Sequence, residues 1–108
     1  MVRCIAFVMM VAGLASPGLA CAAELLLAIE NHKFAPAEVR VPAGTRVKLV
    51  VENRDASAEE FESFELNREK VIAGKSKAVI WIGPLKPGRY PFMGEFNAST
   101  ARGVVIAE

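Results

Sequence analysis

Cysteine is scarce in this chain, and both copies, Cys4 and Cys21, fall within the first 22 of 108 residues. If those residues are removed on export, no thiolate ligand, nucleophilic thiol or disulfide is left. Histidine occurs once, as His32. A site built on several imidazoles is excluded, and a Ser-His-Asp arrangement has only His32 to use, with no nearby serine in a nucleophile's context. There is no Gly-x-Ser-x-Gly elbow and no phosphate loop. Paired carboxylates exist, but a glycosidase cleft needs more chain than this. No enzyme signature is left. Excess charge of one sign is lacking too, with 13 Lys and Arg against 12 Asp and Glu. Losing Arg3 with the leading segment makes the two signs equal, so no basic face is implied and nucleic acid is not an expected partner. There is no internal repeat and no low-complexity tract. After residue 22 nothing keeps a 3.6-residue period over three turns. Phe61 to Val71 has room for one helical turn and no long helix.

The first 22 residues read as a signal peptide. Arg3 gives a positive start, Cys4 to Ala15 is an uncharged apolar run, and Ser16, Pro17 and Gly18 break it. Ala20-Cys21-Ala22 supplies the small-x-small pattern of a cleavage site. The run is short for a membrane span, so no span is expected in the mature form. The two minor alternatives are an uncleaved N-terminal anchor and lipoprotein processing at Cys21, where Gly18 stands at the usual Leu position. Residues 23–108 then form one domain in the periplasm or otherwise outside the cytoplasm. Composition fits a globular domain, at 53% hydrophobic and 23% charged.

Strands separated by turns account for that domain. Glu24 to Ile29 is a short apolar run. Val39 and Val41 alternate around Arg40, and Pro42-Ala43-Gly44 is a turn. Val47, Leu49 and Val51 alternate with Lys48, Val50 and Glu52, the clearest strand in the chain. Asn53 to Ser57 is a polar loop. Phe61 to Leu66 mixes aromatic and acidic residues as a further strand candidate. Ala78, Ile80 and Ile82 alternate with Val79 and Trp81, which places Trp81 on the opposite face. Pro84 to Gly88 is a rigid turn; Tyr90, Phe92 and Val104 to Ala107 close the pattern. Short strands with turn signals every 8 to 12 residues imply an all-β sandwich or barrel, and alternation places Val47, Leu49, Val51, Ile80, Ile82, Tyr90 and Phe92 in its core.

Four segments carry a family resemblance. Phe34-Ala35-Pro36-Ala37-Glu38-Val39-Arg40-Val41-Pro42-Ala43-Gly44-Thr45 resembles the opening of cupredoxin-like domains. Val50-Val51-Glu52-Asn53 resembles their next strand. Leu85-Lys86-Pro87-Gly88-Arg89-Tyr90-Pro91-Phe92 resembles the Pro-Gly-x-Tyr-x-Phe segment before their metal loop, and Gly103-Val104-Val105-Ile106 resembles their closing strand. The resemblance implies an all-β, Greek-key β-sandwich of the cupredoxin-like type. It also implies where metal ligands would stand, and this chain departs at each. Glu59 stands for the His of His-x-Phe, Gly94 for the Cys, Asn97 for the second His, and Ala101 near the Met. A type 1 copper centre needs a thiolate and two imidazoles, so no type 1 copper is expected.

Acidic residues gather where those ligands would be. Glu59, Glu60, Glu62 and Glu65 precede or enter one strand, and Glu95 sits in the counterpart of the ligand loop beside Met93. Carboxylates suit iron or manganese, and a thioether suits Cu(I). Taken singly, each glutamate is explained by a solvated face, and Met93 by packing. Taken together, Glu59, Glu60, Glu62, Met93, Glu95 and His32 form the candidate metal set, for an iron or copper ion. Glu60-Phe61-Glu62-Ser63, Asn67-Arg68-Glu69-Lys70-Val71 and Gly83-Pro84-Leu85-Lys86-Pro87-Gly88 are also similar to one narrower group, the small periplasmic cupredoxin-like proteins of bacterial ferrous-iron uptake. That likeness implies handling or assisted oxidation of Fe(II) beside an inner-membrane iron permease. The group's Phe-x-Gly-Glu-Phe-His loop ends here in Asn97. The alternative is a metal-free cupredoxin-fold module that binds another exported protein.

Overall fold

The computed structural model describes residues 23–108; the expected signal segment lies outside the described residues. Among the described residues nine strands form two sheets. They are β1 (Ala23–Glu30), β2 (Lys33–Ala35), β3 (Glu38–Val41), β4 (Val47–Asn53), β5 (Glu59–Ser63), β6 (Arg68–Ile72), β7 (Ser76–Ile82), β8 (Gly88–Gly94) and β9 (Arg102–Ala107). One sheet has the order β2-β1-β4-β7 and the other β3-β9-β8-β5-β6. The parallel pairs are β1 with β4 and β3 with β9; the other pairs are antiparallel. This is the expected all-β, Greek-key sandwich. Among the described residues no helix is long and apolar enough to cross a membrane.

Period-two alternation decides what each strand buries. β4 alternates strictly, with Val47, Leu49 and Val51 fully buried and Lys48, Val50 and Glu52 on the outer face. β7 sends Ile80 and Ile82 inward. Its Trp81 faces outward, as its parity requires, and the Arg46 guanidinium lies 4.1 Å above the ring. Each buried branched or aromatic side chain contributes about 1.5–3 kcal/mol relative to exposure. At the centre Phe92 stacks on Phe61 at 5.0 Å and meets Phe34 edge-on at 4.9 Å. Tyr90 is a partial exception to the expected core: it is half-buried against the core, with Oη donating to the Lys86 carbonyl at 2.8 Å.

The stretch from Phe61 to Val71 contains no helical turn; it is the β5–β6 hairpin. Asn67 adopts a left-handed φ of 56° and its N–H donates to the Phe64 carbonyl, while Ser63 Oγ accepts the Leu66 N–H at 3.0 Å. Asn tolerates that backbone region better than most residues. A local side-chain bond and a left-handed Asn close the hairpin, signals that hydrophobic periodicity does not carry.

One end of the sandwich is braced by two polar side chains. Buried Asn53 donates from Nδ2 to the carbonyls of Ser57, Ile72 and Ala73 and accepts the Asp55 N–H at 3.0 Å. Asp55 accepts the N–H groups of Asn31 and His32 at 2.8 and 2.9 Å. These bonds, with the nearby charge of His32, outweigh desolvation and hold the Asp55 carboxyl below its ordinary value. Thr100 Oγ1 in turn donates to the His32 carbonyl at 2.7 Å, tying the β1–β2 turn to the loop after β8.

Candidate functional site: an acidic sheet face over a buried carboxylate

Strand β5 carries three of the candidate glutamates, and its pleat divides them. Glu59, Phe61 and Ser63 point inward; Glu60 and Glu62 point outward. The candidate set therefore separates into an interior group and a surface group, with His32 apart from both.

The interior group is built on Glu59, which is only 1% exposed. Its Oε1 accepts the N–H groups of Glu60 and Phe96, both at 2.9 Å. Its Oε2 accepts from Asn97 Nδ2 at 2.8 Å. Asn97 belongs to a short 3-10 turn, Glu95–Asn97, and its carbonyl accepts the Ala101 N–H at 2.8 Å. The Gly94 N–H donates to the Ala101 carbonyl, also at 2.8 Å. Glu59, Gly94, Asn97 and Ala101 thus converge. The fit is close: a Cβ on Gly94 would stand 2.6 Å from the Glu59 carboxyl carbon and 2.8 Å from Ala101 Cβ. Real Cβ atoms do not approach so near, so this conformation requires glycine at position 94.

On the surface lies a cross-strand row. Glu62 opposes Glu69 on β6 and Met93 on β8, and Met93 opposes Arg102 on β9. A carboxyl–carboxyl hydrogen bond with Glu95, aided by partial desolvation and by the charges of Glu95, Glu69 and Glu60, pushes Glu62 up to about 7. Glu60 is raised as well, by desolvation first and then by a hydrogen bond with Glu69 and the charges around it. Carboxylates crowded on one face repel, and holding a proton between two of them is the cheapest relief without a cation. Beside this row, Glu62, Met93 and Phe92 help line an open groove of about 330 Å³, with Phe64 at its rim, 90% exposed.

Of the sequence candidates, the fold brings together Glu60, Glu62, Met93 and Glu95. Glu59 is turned inward beneath them. His32 reaches this end of the molecule through the Thr100 bond, but its Nδ1 lies 3.5 Å from Asp55 Oδ2, away from the acidic row. Among the described residues no three His, Cys, Asp or Glu side chains form a group able to hold a metal ion; the carboxyls meet in pairs. Sequence reasoning missed Glu69. The signal was available: a hairpin pairing Glu62 with Glu69 follows once Phe64 to Asn67 is recognised as a turn. It also grouped Glu59 with its neighbours, although Glu59 shares the parity of Phe61.

The whole-chain comparisons agree with this architecture. Residues 3–107 match the family model of the cupredoxin-like domain. An uncharacterized protein of Rickettsia prowazekii (strain Madrid E) is 42% identical over 83 residues, covering 77% of this chain and 66% of that protein, a little under two thirds of its length. Among solved structures, the metal-binding domain of the Cu(I)-exporting P-type ATPase of Streptococcus pneumoniae superposes with a TM-score of 0.70 at 17% identity, covering 79% of this chain and 84% of that one. Auracyanin A, a blue copper protein of Chloroflexus aurantiacus, does so with a TM-score of 0.70 at 12% identity, covering 82% and 100%. At such identities the likeness is one of fold. The family match spans nearly the whole sequence and the two-sheet architecture agrees with it, so the chain belongs to the cupredoxin-like domain family.

Proposed function

We propose that this is an exported accessory protein that handles metal, with iron as its cargo, for an inner-membrane iron permease. The observation that carries this reading is the Glu62–Glu95 pair, raised to about 7 on the Glu62 side by a neighbouring carboxyl. A divalent cation held by the Glu62–Glu95 pair would replace the shared proton and offset the neighbouring charges of Glu60 and Glu69. Met93, in register with Glu62, stands close enough in the sheet to add a thioether. Oxygen donors favour hard cations, and Fe(III) over Fe(II), so the same face would ease one-electron loss from bound Fe(II) to an external oxidant, dioxygen, which is reduced to water with uptake of one proton per iron. The acidic pattern and the narrower likeness to ferrous-iron uptake proteins support iron; the leading segment supports export.

A type 1 copper does not fit these residues. Position 94 has no room for a cysteine side chain while the Glu59 carboxylate stands 2.6 Å from where its Cβ would be. Both Glu59 oxygens already accept N–H donors.

Thermal unfolding of the mature protein with and without Fe(II) and Cu(II) tests the proposal. Metal that binds only the folded state raises Tm, by mass action. The rise is expected with Fe(II), and it should shrink in Glu62→Gln and Glu95→Gln. A second reading, the metal-free module for another exported protein, is favoured by the exposed Phe64 at the groove rim; no metal-dependent shift in the parent would make it the better one. Export itself is checked by intact mass, with cleavage expected between Ala20 and Glu24. A mature form retaining Met1 contradicts it.

A further inference from the structure

A buried carboxylate with no cation is costly unless its lone pairs are filled. Glu59 is such a group: no described Lys, Arg or His pairs with it, and its burial is nearly complete. What it receives instead is three N–H donors, two of them from the 95–97 turn. A turn of three residues has little packing of its own, and none of Glu95, Phe96 and Asn97 is buried. The carboxylate is therefore the interior tie between β5 and that turn.

We infer that Glu59 is a positioning residue, a carboxylate pin. It fills from inside the space a side chain at position 94 would need, and it fixes the 95–97 turn so that Glu95 lies against Glu62. Glu59 and Gly94 are one interdependent pair: the carboxylate at 2.6 Å, together with Ala101 Cβ at 2.8 Å, excludes a side chain at 94, and glycine leaves the carboxylate its place. The pin makes the shape of this end independent of any metal within it. The consequence for Glu95 rests on the acidic-face reading above; the pin itself does not, and its tests need no iron.

The pair predicts non-additive stability. Gly94→Ala in the parent forces atoms together at 2.6 Å and should lower Tm by about 10 °C or more, as overpacking does in a small domain. In a Glu59→Ala background the same change should cost clearly less, with the 2.8 Å approach to Ala101 Cβ as the remaining contact. In Glu59→Gln, which keeps the volume, the full penalty should persist. Amide exchange gives the second readout: the Phe96 N–H should be protected in the parent and in Glu59→Gln and lose protection in Glu59→Ala. Equal Gly94→Ala losses in the parent and in Glu59→Ala, no loss in the parent, or a Phe96 amide that exchanges alike in all three would overturn the pin.

If Glu59→Ala does not fold, Glu59→Asp decides: its carboxyl is one methylene shorter and withdraws from position 94, so Gly94→Ala should lower Tm less there than in the parent. An equal loss in both would show that the carboxylate does not exclude a side chain at 94.

Discussion

Replacing Glu95 by glutamine should release the proton that the acidic face holds. In the parent, Glu62 is pushed from an ordinary 4.5 to about 7, chiefly by its hydrogen bond with the Glu95 carboxyl and then by desolvation and the charges of Glu95, Glu69 and Glu60. A glutamine at 95 removes the leading cause and one charge, and its amide can donate to the Glu62 carboxylate, favouring the ionised form. Glu69 and Glu60 still repel, so Glu62 should fall from about 7 toward its ordinary 4.5 without reaching it. The assay is a carboxyl-carbon NMR titration of glutamate-labelled protein. The sign of the stability effect is fixed by linkage. A folded-state value above the unfolded one gives stability that is fully present below 4.5 and lost as pH rises through about 7. Glu62 should thus make the parent lose Tm across that window, and Glu62→Gln should remove its share of the loss. Glu62 titrating near 4.5 in the parent, or unmoved by Glu95→Gln, would refute the pairing.

Two further predictions concern the brace at this end. Asn53→Asp places a buried carboxylate against the carbonyls of Ser57, Ile72 and Ala73 in place of an N–H donor; it should cost about 3–5 kcal/mol in urea unfolding, and a cost below about 1 kcal/mol would mean the brace is dispensable. Asp55→Ala strips the acceptors from the Asn31 and His32 N–H groups and should cost about 2–3 kcal/mol near neutral pH. Because the Asp55 carboxyl is held below 3.8, its contribution is present above that value and lost as pH falls further, so parent and variant should converge in acid.

The fold was largely legible because a sandwich writes itself in period two. Val47, Leu49 and Val51 announce one buried face, and Ile80, Ile82 and the opposed Trp81 announce the other partner of the same sheet. β6 was not legible: Arg68–Ile72 exposes four of its five residues, so it shows no alternation, and it is defined by the hairpin that pairs it with β5. At the site, the clustering of Glu60, Glu62 and Glu95 with Met93 followed from the family's loop positions. The inward turn of Glu59 did not, because a glutamate beside other glutamates reads as solvated. Its burial depends on three donors, two of which come from residues almost forty positions away in sequence. Such a partnership leaves no local signal except parity with Phe61.

The most direct test of metal handling is an anaerobic Fe(II) titration of the mature protein in weakly buffered solution, with released protons counted. At pH 6 Glu62 is mostly protonated, since its value lies at about 7. A cation that takes the place of the shared proton must expel it, so saturable binding should release about one proton per iron at pH 6 and far less at pH 8. Glu62→Gln should abolish the release. No saturable binding at either pH, or binding at pH 6 that frees no proton, would contradict the acidic face as the place where iron is held.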